Sequence, residues 1–179
     1  LAVGKTIISD LLESEDVFKT ANGLKALGVD IYKKGDEWFV HGVGLGGFCE
    51  PDDVIDCGNS GTSVRLLMGL VSTCPIKATF TGDESLRNRP MDRVVEPLSE
   101  FGAYFSTNYD CKLPIHVIGS DEPIPINHIL KIPSAQVKSA ILLAGLNVKG
   151  TTSITENEAT RDHTEKMLES FGANIRVKR

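Results

Sequence analysis

A chain of 179 residues is long enough for one domain with a real core, or for two small ones. Its 41% hydrophobic and 24% charged content is that of a globular chain, and no apolar run approaches the roughly 20 residues needed to cross a bilayer. A net charge of −5 argues against a nucleic-acid binder, which carries a basic face, but leaves room for an anionic ligand held by a few placed cations.

Taken in order, the alternation of apolar and polar positions predicts a strand at 5–9, a helix over 16–27, and strands at 29–33 and 38–41. Next come a strand at 53–57, a helix over 60–72, a strand at 76–81, a helix over 91–101, and strands at 103–107 and 113–118. The same order then restarts with strand 126–132, helix 134–146, strand 151–155, helix 162–171 and strand 173–177. Three of the helices end alike, at Leu24 to Gly28, Leu98 to Gly102 and Leu168 to Gly172, and the closing glycines are 74 and 70 residues apart. Glycine tolerates the left-handed conformation that ends a helix, so its recurrence has a mechanical cause. A period of this length marks a repeated supersecondary unit.

A second pair of segments shares another plan. Asn59 to Leu70 and Ser134 to Leu146 both begin with small polar residues, carry a valine and then a base (Val64-Arg65, Val137-Lys138), and close an apolar run with Gly-Leu. The fold class that follows is α/β (α+β), built of repeated βαβαββ units in a quasi-threefold arrangement, as one domain over residues 1–179. Both ends are expected to be cuts, and periodicity leaves the strand order open. The N-terminal residues lack the pattern of a signal peptide, which points to the cytoplasm. Cys49, Cys57, Cys74 and Cys111 form no Cys-x-x-Cys pair, and the four histidines lack metal-ligand spacing. Reduced thiols and no metal are therefore expected.

Four turns between a strand and a helix carry residues suited to binding anions. Gly58-Asn59-Ser60-Gly61-Thr62 offers a glycine that lets a ligand approach the backbone, with Asn59 able to bond a polar group. Arg89, placed before Pro90 at a helix start, can grip a carboxylate or phosphate with two prongs. Ser134, Ala135 and Gln136 open a helix whose free N–H groups and positive end favour an anion. Arg161 lies beside an acidic first helical turn, where a cation is electrostatically out of place and hints at an anionic partner. In a repeated α/β domain such turns gather at one end.

Together Asn59-Ser60-Gly61-Thr62, Arg89-Pro90-Met91, Ser134-Ala135-Gln136-Val137-Lys138-Ser139-Ala140 and Thr160-Arg161-Asp162-His163-Thr164-Glu165 closely resemble the 5-enolpyruvylshikimate-3-phosphate synthase family. The likeness runs through essentially all 179 residues in the right order. It implies an enolpyruvyl transferase-like domain, one of two similar domains that each hold three βαβαββ units and face each other across the active-site cleft. It also implies a cytoplasmic, monomeric enzyme of aromatic amino acid biosynthesis, on the shikimate pathway toward chorismate, with no metal or organic cofactor. In that family the enolpyruvyl group of phosphoenolpyruvate passes to the 5-hydroxyl of shikimate 3-phosphate, with release of phosphate.

By resemblance, Arg89 binds phosphoenolpyruvate with Asn59 and the backbone at Gly61 beside it. Ser134, Ala135 and Gln136 bind shikimate 3-phosphate, and Arg161 falls where the family contacts its phosphate, at a position that varies. The family's N-terminal Lys-Ser…Arg loop and its second domain, which supplies an Asp acid/base, have no counterpart in these residues. No catalytic residue is assigned, and the chain alone is not expected to turn over. Members insensitive to glyphosate carry Ala where Gly61 stands, so a full-length version is expected to be inhibited. A UDP-N-acetylglucosamine enolpyruvyl transferase is disfavoured because its reactive Cys before the Arg-Pro pair is missing from 83–89. A non-catalytic anion-binding module of the same fold remains open, whereas an RNA-processing relative fits poorly with the acidic charge.

Overall fold

The computed structural model describes residues 1–108 and 110–178. The first unit comprises β1 (Val3–Ile8), α1 (Glu15–Ala26), β2 (Asp30–Lys34) and β3 (Glu37–Val43). The second runs through β4 (Ile55–Asp56), α2 (Gly61–Ser72), β5 (Lys77–Thr81), a single turn α3 (Glu84–Arg87), α4 (Asp92–Glu100), β6 (Tyr104–Ser106) and β7 (Ile115–Ile118). The third holds β8 (Asn127–Leu130), α5 (Ala135–Gly145), β9 (Ser153–Glu156) and α6 (His163–Ser170).

The strand order that periodicity left open is one template used three times. The second unit forms a sheet in the order β4-β5-β7-β6, with β4 and β5 parallel and the remaining pairs antiparallel. The first unit repeats its antiparallel part as β1-β3-β2, and the third repeats its parallel part as β8-β9. The closing glycines behave as their spacing predicts: Gly28, Gly102 and Gly172 have φ of 90°, 100° and 89°. At two of them the next residue's N–H reaches back five positions, Val29 to the Leu24 carbonyl and Ala173 to that of Leu168, which satisfies a carbonyl the helix leaves free.

One predicted element is not formed. Residues 173–177 make no strand. In the other two units the strand after the closing glycine pairs with the next strand of its own unit, β2 with β3 and β6 with β7. Among the described residues no strand pairs with 173–177, and an unpaired strand has nothing to hold it extended.

Helices α2 and α5 form the centre. Both are apolar on most sides, as buried helices are, and they pack against each other directly. Contact is closest at Gly69, where a Cβ would fall 2.6 Å from the Ala140 carbonyl oxygen. Around them Leu67, Met68, Phe80, Leu86, Met91, Phe101, Ile115 and Ile141 are fully buried within one continuous core. Each such side chain contributes about 1.5–3 kcal/mol relative to exposure. Helices α1, α4 and α6 lie outside this pair and bury narrow stripes, such as Val94, Pro97 and Leu98 of α4. Among the described residues no helix is long and apolar enough to cross a membrane.

Candidate anion-binding site

The turns after β4 and β5 lie side by side because those strands are parallel. Two bonds carry the pairing past the strand ends: Cys57 N–H to the Thr81 carbonyl and Asp83 N–H to the Gly58 carbonyl, both at 2.9 Å. Ser60 caps α2, its hydroxyl accepting from Ser63 N at 3.2 Å. Asp83 caps α3, accepting from Leu86 N at 2.7 Å, and also accepts from Asn59 Nδ2 at 2.7 Å. These two N–H donors hold the Asp83 carboxyl below the usual carboxylate range. Asn59 Oδ1 then accepts from Arg89 Nη2 at 2.5 Å. Asn59 is therefore a strut that aims Arg89.

Across α2 stands a second guanidinium. Arg65 Nη1 donates to the Gly61 carbonyl at 3.1 Å and to Gln136 Oε1, on α5, at 2.8 Å. Gln136 Nε2 donates to Thr62 Oγ1 at 2.7 Å. A Cβ on Gly61 would lie 2.8 Å from Arg65 Nη1 and 3.0 Å from Arg89 Nη1, so the two guanidiniums flank the bare glycine. Burial, and then the charges of Arg89 and Arg93, pull Arg65 below its ordinary pKa. Every ion pair among the described residues uses Lys or His as its cation, and none involves Arg65, Arg89 or Arg93. Like charges are thus gathered with no carboxylate in direct ion-pair contact among the described residues, Asp83 acting on Arg89 only across Asn59, an arrangement that an anion would relieve.

The start of α5 adds the third turn. Ser134 caps it, accepting from Val137 N at 3.3 Å, while the N–H groups of Ala135 and Gln136 have no carbonyl a turn earlier to bond. Sequence reasoning thus placed Asn59, Gly61, Arg89 and Gln136 in what proves to be one connected cluster, with Ser134 and Ala135 on the same first turn as Gln136.

Arg161 belongs to the fourth turn, between β9 and α6, and is exposed. Arg89 holds the equivalent place between β5 and α4. Among the described residues no hydrogen bond ties Arg161 to the other three turns. Its segment is instead moored by a buried triad in which Lys138 Nζ meets Glu156 at 2.9 Å and Glu165 at 2.6 Å. Burial alone would lower the Lys138 pKa, but Glu165 and Glu156 outweigh it and hold the ammonium above its ordinary value. Burial likewise acts to raise Glu156, yet the Thr160 hydroxyl and Lys138 hold it below its own. The shared Val-base pattern concealed this divergence: Arg65 turns toward the cluster, whereas Lys138 is spent on the scaffold. Arg65 was the functional candidate that site reasoning overlooked, although its place one helical turn after Gly61 was a usable signal. Among the described residues no cluster of His, Cys, Asp and Glu is arranged to hold a metal.

A family model described as EPSP synthase (3-phosphoshikimate 1-carboxyvinyltransferase) matches residues 1–179. A 3-phosphoshikimate 1-carboxyvinyltransferase of Roseobacter denitrificans is 58% identical over 178 residues, covering 99% of this chain and 40% of that protein. The solved EPSP synthase from Acinetobacter baumannii superposes with a TM-score of 0.94 at 42% identity, over 99% of this chain and 40% of its own. A more distant structure, the enolpyruvyl transferase NikO from Streptomyces tendae, shares the fold with a TM-score of 0.62 at 20% identity, over 89% of this chain and 36% of its own. The chain therefore spans about 40% of the length of the curated relatives it matches.

Proposed function

Because the chain belongs to the EPSP synthase family, we propose that it is the substrate-binding part of a 3-phosphoshikimate 1-carboxyvinyltransferase. That enzyme would move the enolpyruvyl group of phosphoenolpyruvate onto the 5-hydroxyl of shikimate 3-phosphate, by addition and elimination through a tetrahedral ketal. Arg89, aimed by Asn59, takes the phosphoenolpyruvate anion above Gly61, and Arg65 adds to the local positive potential. Ser134, Ala135 and Gln136 bind shikimate 3-phosphate at the positive end of α5, and Arg161 approaches its phosphate. A second domain supplies the acid/base carboxylate and closes the cleft, and the whole acts as a cytoplasmic monomer without nucleic acid. The observation that carries this reading is the guanidinium pair flanking Gly61 with no carboxylate partner among the described residues.

Catalysis depends on groups assembled around the transition state, and the groups named here bind charge without moving a proton. The chain by itself is therefore expected to bind and not to turn over. Titrating shikimate 3-phosphate into 15N-labelled chain should shift the backbone amides of Ser134, Ala135 and Gln136, with no phosphate released when phosphoenolpyruvate is added. Amides that stay unmoved at millimolar ligand would refute the site, and steady phosphate release would refute the division of labour.

A further inference from the structure

We infer that Arg65 is a positioning residue: it fixes the side-chain amide of Gln136 so that N–H, rather than carbonyl oxygen, is offered to a bound anion. A glutamine amide is nearly symmetric in shape, and its two ends are told apart only by their hydrogen-bond partners. Here the partners are unequal. Arg65 can only donate, and its Nη1 lies 2.8 Å from one end of the amide, so that end must be the acceptor Oε1. The other end is then Nε2, 2.7 Å from Thr62 Oγ1, a hydroxyl that accepts as readily as it donates. Reversing the amide would set NH2 against a guanidinium, donor facing donor. Arg65 is itself held by the Gly61 carbonyl at 3.1 Å, so the direction passes from the start of α2, through the guanidinium, to the start of α5.

The consequence concerns recognition. Nε2 carries two hydrogens and Thr62 takes one, so the second can meet an anion lying at the α5 start. A freely turning glutamine would present its oxygen there part of the time, which an anion repels. This function of the orientation rests on the reading that phosphorylated acids occupy the site, but the orientation itself does not.

Gln136 is the only glutamine in the chain, so 15N-glutamine labelling yields a single side-chain NH2 signal pair. In the ligand-free protein that pair should be displaced from the position of free glutamine and show Overhauser contacts to the Thr62 methyl. Arg65→Met should return it to the free position with backbone amides elsewhere unmoved, and Arg65→Lys, which keeps a cationic donor, should restore part of the displacement. In full-length enzyme Arg65→Met should raise the KM for the phosphorylated substrates at least severalfold more than it lowers kcat, again with partial rescue by Arg65→Lys. An NH2 pair identical in wild type and Arg65→Met overturns the proposal. So do NH2 contacts to the Arg65 guanidinium protons in the wild type, a measurement that needs no variant to fold. If the wild-type pair is displaced as expected but ignores shikimate 3-phosphate, the orienting role stands and the substrate assignment falls.

Discussion

At the scale of single residues, Gly61 has the clearest consequences. A Cβ there would press on the guanidinium ends of Arg65 and Arg89, at 2.8 and 3.0 Å. Both are tips of flexible side chains, so the fold can give way cheaply. Gly61→Ala should therefore change stability by no more than about 1 kcal/mol in urea unfolding. It should nonetheless displace both cations, so in full-length enzyme its affinity for glyphosate, measured by calorimetry, should fall by at least about tenfold, or roughly 1.4 kcal/mol. Undiminished binding would show that the crowding is absorbed without moving the cations. Arg89 was legible in the sequence because Pro90 fixes the helix start beside it. Arg65 was not, because its meaning lies in Gln136, 71 residues away on another helix.

At the scale of elements, the same substitution eight residues further along α2 has the opposite character. Gly69→Ala would drive a Cβ into the backbone of Ala140, which cannot rotate aside, so a loss of about 1–3 kcal/mol or more is expected from urea midpoints. The Lys138 triad joins α5 to β9 and α6 with side chains only 6–18% exposed. Lys138→Met would leave two carboxylates buried without a cation, at a cost of about 3–5 kcal/mol at neutral pH. In the wild type, Glu156 is held below its ordinary pKa, so its contribution is present above pH 4.5 and lost as pH falls through the folded value. Lys138 is held above its own, so its contribution is present below pH 10.5 and lost as pH rises through the folded value. Stability from the Lys138–Glu156 pair should thus be level between those limits, and the Lys138→Met deficit should shrink on acidification as the stranded Glu156 takes a proton. A deficit that is constant with pH would assign the loss to packing instead. The closing glycines were readable because a helix end is a local event. The triad was not, since its three members come from elements that only the tertiary fold brings together.

At the scale of the whole molecule, repetition was the most legible property and handed over the architecture, while strand order depended on pairings between separate segments and the expected strand at 173–177 on a neighbouring strand not found among the described residues. The cluster of Arg65, Arg89 and Arg93 gives a bulk prediction. Inorganic phosphate should raise the melting temperature more than chloride at equal ionic strength, by up to about 2.7 kcal/mol of stabilisation at a hundredfold excess over the dissociation constant. Equal effects of the two salts would mean that general screening, and not occupancy, relieves the repulsion. The division of cations shown by the ion pairs has a further consequence. Because the described scaffold forms its ion pairs with ammonium and imidazole groups, an incoming acid would find guanidiniums that make no direct ion pair with a carboxylate among the described residues. None of the described ion pairs would have to break for such a guest to be neutralised. Capture and release of an anion would then leave the ion pairs that hold the framework in shape untouched.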